Sequence, residues 1–148
     1  MKKRRIRPTM KMTHHTRFRW EPTMNLVLWI LAGLLAAFFL FAGVTKLAQS
    51  KEKLLASPSM GWAADVAPGL IKTIGALEVL AALGLILPAV LDLAPVLVPL
   101  AAAGLVVLMV GAAITHARRQ EGQAIVMNAV LLALAAVVAW GRFGPHAF

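Results

Sequence analysis

Four stretches of the chain stay apolar for about the length a helix needs to cross a bilayer. They cover residues 25–47, 69–91, 95–115 and 123–141, with charge, proline or glycine at their borders. A helix rises about 1.5 Å per residue, so roughly 20 apolar residues cross a hydrocarbon core of about 30 Å. The first stretch is uncharged until Lys46, the second contains Lys72 and Glu78, and the third and fourth carry no charge. None alternates with a period of two, and none is broken into strand-sized pieces by turn residues, which argues against a barrel. The pattern predicts an all-α protein, a bundle of four transmembrane helices in antiparallel up-down order.

The connections differ in kind. Residues 92–94, with Pro88 before them and Pro95 after, force a tight hairpin, and Pro95 and Pro99 fall in the first turns of the third helix, where a missing donor costs least. Residues 116–122, HARRQEG, form the third connection. Residues 48–68 are too polar to span and too patterned for a plain linker, and Met60 with Trp62 fits an anchor at headgroup level.

Ahead of the first span, residues 1–23 hold few aliphatic side chains and two prolines, so they are expected to form a disordered basic tail, with residues 24–148 as the membrane domain. The apolar run that follows exceeds the roughly 7–15 residues of a signal-peptide core and lacks a small-residue cleavage site, so it is expected to stay in the protein. Met24, at its edge, is an alternative start.

Composition agrees with the pattern: 60% of the 148 residues are hydrophobic, against roughly 45–50% apolar in soluble chains. The formal charge of +9 does not indicate nucleic acid, because eight of the fifteen basic residues precede Trp20, where they suit anionic lipid. Nine basic residues fall on the side of the termini and six on the other, which places both termini in the cytoplasm; a start at Met24 reverses the count. The absence of cysteine excludes disulfides, CxxC redox chemistry, thiolate-bound iron–sulfur clusters and thiolate zinc sites.

Glu78 stands within IGALEVLAALGLILP, a stretch otherwise without charge. A carboxylate at that depth costs a few kcal/mol or more unless it faces protein or a water-filled cavity. It lies roughly 9 Å deeper than Lys72 and on a different helix face, so its partner must come from another helix, while Lys72 is expected to snorkel. Four alternating spans bring Lys46 at the end of the first helix, His116 at the end of the third and Asn128 in the second turn of the fourth into the leaflet that holds Glu78. Small residues at helical spacing accompany these positions, among them Ala32, Ala36 and Gly43 before Lys46 and Gly75, Ala81 and Ala82 around Glu78. Such stripes let helices approach closely in lipid, so the polar groups are expected to point inward. The plainer reading remains open: Glu78 paired with Lys46 or His116 as a lock on packing, Lys46 as an interfacial snorkel, Asn128 as interhelical glue and His116 as a helix-end cation.

Other chemistries fail on residue type. His116 and Met109 share one helix and cannot clamp a haem iron from both faces, no metal-ligand set is complete, and no phosphate loop or activated nucleophile is present. An anionic or redox-active lipophile such as a quinone remains, with Lys46 or His116 as donors and Glu78 as proton acceptor. The competing classes are a membrane scaffold that recruits a partner through its SKEK and HARRQEG loops, and a small-solute transporter. The lipid bilayer is a partner in every case, and self-association fits each of them.

The segments FAGVTKL (41–47), MGWAADVAPGLIKTIGALEVLAALGLILP (60–88), PLAAAGLVVLMVGAAITHARRQE (99–121) and NAVLLALAAVVAWGRFGP (128–145) together resemble the DoxX-like family of small four-helix bacterial membrane proteins. The resemblance implies a multipass protein of the bacterial plasma membrane in which Lys46, Glu78, His116 and Asn128 occupy recurrent polar positions. It also implies a link to quinone-dependent redox systems, since some relatives resemble subunits of a thiosulfate:quinone oxidoreductase and a mycobacterial relative belongs to a redox-defence assembly. With no cysteine for sulfur transfer, a redox partner subunit would supply that chemistry. The basic tail lies outside the resemblance.

Overall fold

A computed structural model describes residues 21–148. The helices are α1 (Glu21–Ala48), α2 (Lys51–Leu55), α3 (Pro68–Val90), α4 (Leu97–Arg118) and α5 (Gly122–Phe143), with a 3-10 segment (Pro58–Asp65) between α2 and α3. Four of them, all but the short α2, are long and apolar enough to cross a membrane. The expected tail of residues 1–23 lies outside the described residues up to residue 20, and 21–23 form the first turn of α1 rather than part of a tail. Proline at Pro22 suits a first turn, because the donor it lacks would have no intrahelical partner.

On each long helix the buried positions recur three or four residues apart. They run Leu28, Ala32, Leu35, Phe39, Gly43 and Lys46 on α1, and Ile71, Gly75, Glu78, Ala82, Leu85 and Pro88 on α3. On α4 they include Val98, Ala102, Leu105 and Met109, and on α5 Asn128, Leu131, Ala135, Val138 and Arg142. The core joins Ala32, Leu35 and Phe39 to Ala82, Leu85, Ala102, Leu105, Ala135 and Val138. Leucines and valines such as Leu34, Leu80 and Val107 cover the outside, as lipid-facing helices require.

Two helix ends close in the same way. Beyond α3, Asp92 adopts a left-handed conformation (φ 52°) and the Leu93 N–H donates to the Pro88 carbonyl at 2.9 Å. Beyond α4, Gln120 does so (φ 56°), with the Gln120 N–H on Ala117 O (3.1 Å) and the Glu121 N–H on His116 O (3.0 Å). The second set is the Schellman pairing that satisfies a helix's last carbonyls.

The bundle is uneven. Helix α1 packs mainly on α3 and α4 mainly on α5, with less contact between α3 and α4. The α1–α3 crossing is close because two glycines meet there: a Cβ added at Gly43 would lie 2.6 Å from the Gly75 carbonyl oxygen, and one at Gly75 would lie 2.9 Å from the Gly43 carbonyl oxygen.

Candidate functional site

The glycine crossing sets the distance at which Lys46 and Glu78 meet. Lys46 sits one turn after Gly43 and Glu78 one turn after Gly75, so side chains on the two inward stripes come within reach. Lys46 Nζ donates to both oxygens of Glu78, at 2.9 and 2.8 Å, and lies 3.5 Å from the Ala42 carbonyl. The lysine is 6% exposed and the glutamate 5%. Lys46 is therefore an inward partner rather than an interfacial snorkel, and the Glu78 carboxylate finds its countercharge on another helix.

Lys72 does reach the end of the bundle, with a definite task. Its ammonium donates to the carbonyls of Lys46 (2.8 Å), Leu47 (2.7 Å) and Gln49 (2.6 Å), acceptors that the end of α1 leaves without helical donors.

The other two expected residues, His116 and Asn128, bond elsewhere. His116 Nδ1 lies 2.5 Å from Glu121 Oε2, and the Schellman turn explains the pairing, since it folds residue 121 back onto the carbonyl of residue 116. Asn128 donates to the Ala124 carbonyl of its own helix at 2.9 Å. The expected convergence of three helices on Glu78 reduces to a pair, because Lys46 alone among the described residues hydrogen-bonds to it.

Glu121 and Arg119 are the residues that sequence reasoning left in a connecting loop. Arg119 donates through Nε to Glu121 Oε1 at 2.7 Å and through Nη1 to Asp65 of the 3-10 segment. The hydrogen bond from His116, then that from Arg119, holds the Glu121 carboxyl below the usual carboxylate range. Lys51 ties the same connection inward by donating to the carbonyls of Ala64 (3.1 Å) and Val66 (2.8 Å). Met60 and Trp62, expected at headgroup level, pack on Leu54, Ala63 and Ile71 and line the cavity. A helix-end His followed five residues later by Glu, with a residue able to adopt positive φ between them, was the available signal for this network.

Lys46, Glu78, His116, Glu121 and Asn128 all line one cavity of about 1430 Å³. Its wall continues over Leu77 and Leu80 of α3 and over Leu100 and Val107 of α4, whose side chains are half or more exposed. In a bilayer these residues meet acyl chains, so the cavity opens sideways between α3 and α4, which pack less closely than α1 with α3 or α4 with α5. The site thus combines an apolar entrance with a few polar groups at one end, the usual make-up of a small-molecule site. Among the described residues no cluster of three His or acidic side chains could hold a metal ion.

Arg142, counted from sequence only as a flanking charge, is 4% exposed and belongs to the opposite end of the bundle. Its place on the inward stripe, four residues after Val138, was the signal for its burial.

No curated protein and no solved structure matches the chain. A sequence profile matches residues 30–138, a range that holds the ion pair, His116 and Asn128, and on that match the chain belongs to the DoxX-like family.

Proposed function

We propose that this multipass membrane protein is the membrane subunit of a quinone-linked redox system and holds a small lipophile in the cavity between α3 and α4. The observation that carries the reading is the lateral, apolar opening that ends at Glu78, Lys46 and His116. The polar groups fit a quinone head. Asn128 and the His116 ring stand on the wall, and Nδ1 of that ring is engaged by Glu121, which leaves Nε2 as its remaining hydrogen-bonding atom. Glu78 would accept a proton from a ligand hydroxyl, and the ligand oxyanion left behind would take over as counterion to the Lys46 ammonium. His116 passes from the cavity wall to Glu121, whose carboxylate is partly exposed, and this pair offers protons a way out to water. A quinone bound there would supply two-electron chemistry that no side chain of this cysteine-free protein provides. A partner subunit would donate or take up those electrons. Membership of the family supports a bacterial plasma-membrane location, and the count of basic residues supports termini in the cytoplasm.

Titrating a soluble ubiquinone analogue against purified protein tests the reading, with the fluorescence of cavity-lining Trp62 as readout and Trp62→Phe as control. Saturable quenching that disappears in Glu78→Gln and His116→Ala is the expected result. No saturation, or saturation indifferent to both changes, refutes it. The scaffold reading loses part of its basis, because Arg119 and Glu121 of the HARRQEG loop are engaged within the molecule.

A further inference from the structure

The end of the bundle opposite the ion pair holds a second buried cation. Arg142, in the last turn of α5, is 4% exposed, and among the described residues no carboxylate pairs with it. Its Nη1 donates to the Asn25 side-chain oxygen (2.7 Å) and to the His146 carbonyl (3.0 Å). The guanidinium carbon lies 4.0 Å from the centre of the Phe148 ring and 5.6 Å from that of Trp29, and the two rings meet edge to face. These contacts fix the group in place, but Nε and Nη2 are buried with no acceptor among the described residues.

Those two nitrogens form one edge of the guanidinium, the fork that takes a carboxylate or phosphate through two parallel hydrogen bonds. Leaving such an edge buried and idle costs more than a lost hydrogen bond, because the charge also lacks a counterion. The C-terminal carbonyls of α5 offset part of the charge but give this edge no acceptor. A pocket of about 370 Å³ lies against Arg142, bounded by Pro22 and Asn25 at the start of α1 and by Pro145 and Phe148 beyond α5. Trp140, two residues before Arg142, is 64% exposed, which suits the headgroup level of a bilayer, where phosphate is the abundant anion.

We propose that Arg142, held by Asn25 and stacked on Phe148, is a binding site for a phosphate group, either the headgroup of an anionic lipid or a free phosphate. The site lies outside the matched range of residues 30–138 and at the far end of the bundle from the cavity, so it stands or falls independently of the quinone reading.

The test measures unfolding temperature of the full chain in uncharged detergent during titration with inorganic phosphate, dihexanoylphosphatidylglycerol or dihexanoylphosphatidylcholine, with sodium chloride as the ionic-strength control. A bound anion raises the midpoint by mass action. Stabilisation by inorganic phosphate identifies a soluble anion, and stabilisation by the phosphatidylglycerol alone identifies a lipid headgroup; either supports the site if the half-saturating concentration rises about tenfold or more in Arg142→Gln. Arg142→Lys, which keeps the charge without the fork, should fall between. If Arg142→Gln does not fold, Arg142→Lys and Asn25→Ala, which frees the guanidinium to turn, must each weaken binding. Two results overturn the proposal: no stabilisation beyond that of chloride, or stabilisation unchanged in the variants.

Discussion

Removing Glu78 should cost more than removing Glu78 and Lys46 together. In Glu78→Leu the ammonium of Lys46 loses both carboxylate contacts and keeps only the Ala42 carbonyl at 3.5 Å. The lysine stem is confined as well, because its Cβ lies close to Gly75, where an added Cβ would come within 2.9 Å of it. Escape to the headgroups therefore requires the tight α1–α3 crossing to open. Attraction between unit charges 2.8 Å apart is about 6 kcal/mol at an effective dielectric constant of about 20. The cost of desolvating both ions offsets much of that sum, so the pair contributes far less to net stability than its attraction suggests. What a single substitution exposes is the uncompensated charge, at about 3–5 kcal/mol. Glu78→Leu and Lys46→Met should each lower stability by that amount, and the double variant should return to within about 2 kcal/mol of wild type. Reversible unfolding in mixed micelles, followed by far-ultraviolet circular dichroism, gives the four values of the cycle. Strict additivity, with the double variant as unstable as the two singles summed, would show that the two charges do not compensate each other and would refute the account of the buried pair.

Three further outcomes follow from the geometry. Gly75→Ala places a methyl group 2.9 Å from both the Gly43 carbonyl and the Lys46 Cβ, and should cost about 1–3 kcal/mol in the same unfolding assay; an unchanged midpoint would mean the helices can separate freely. Gln120→Gly should stabilise by up to about 1 kcal/mol, since residue 120 holds φ 56° at the end of α4; destabilisation would show that the left-handed turn is not maintained. Glu121 has a folded pKa below its unfolded value, so its contribution to stability is fully present above the ordinary Glu pKa of about 4.3 and is lost as pH falls through the lower folded value. The unfolding midpoint measured below about pH 4.3 should thus decline more steeply in wild type than in Glu121→Gln, and equal slopes would remove His116 and Arg119 as the cause.

The number of spans, their antiparallel order and the leaflet shared by the polar residues follow from the sequence alone, because bilayer thickness fixes helix length and each short connection reverses direction. The inward direction of Glu78 was legible for the same kind of reason: it continues the spacing of Gly75 and Ala82, and lipid does not solvate a carboxylate. Which cation would meet it was not legible. Lys46 and His116 were both near enough by depth, and the choice fell to Lys46 because Gly43 and Gly75 let α1 approach α3 closely. The turn beyond α4 commits His116 to Glu121, and the open carbonyls of α1 take Lys72. The cavity also depends on unequal packing between helices, a property of how four stripes fit together in space. One-dimensional periodicity says which face of a helix turns inward but carries no distance between faces.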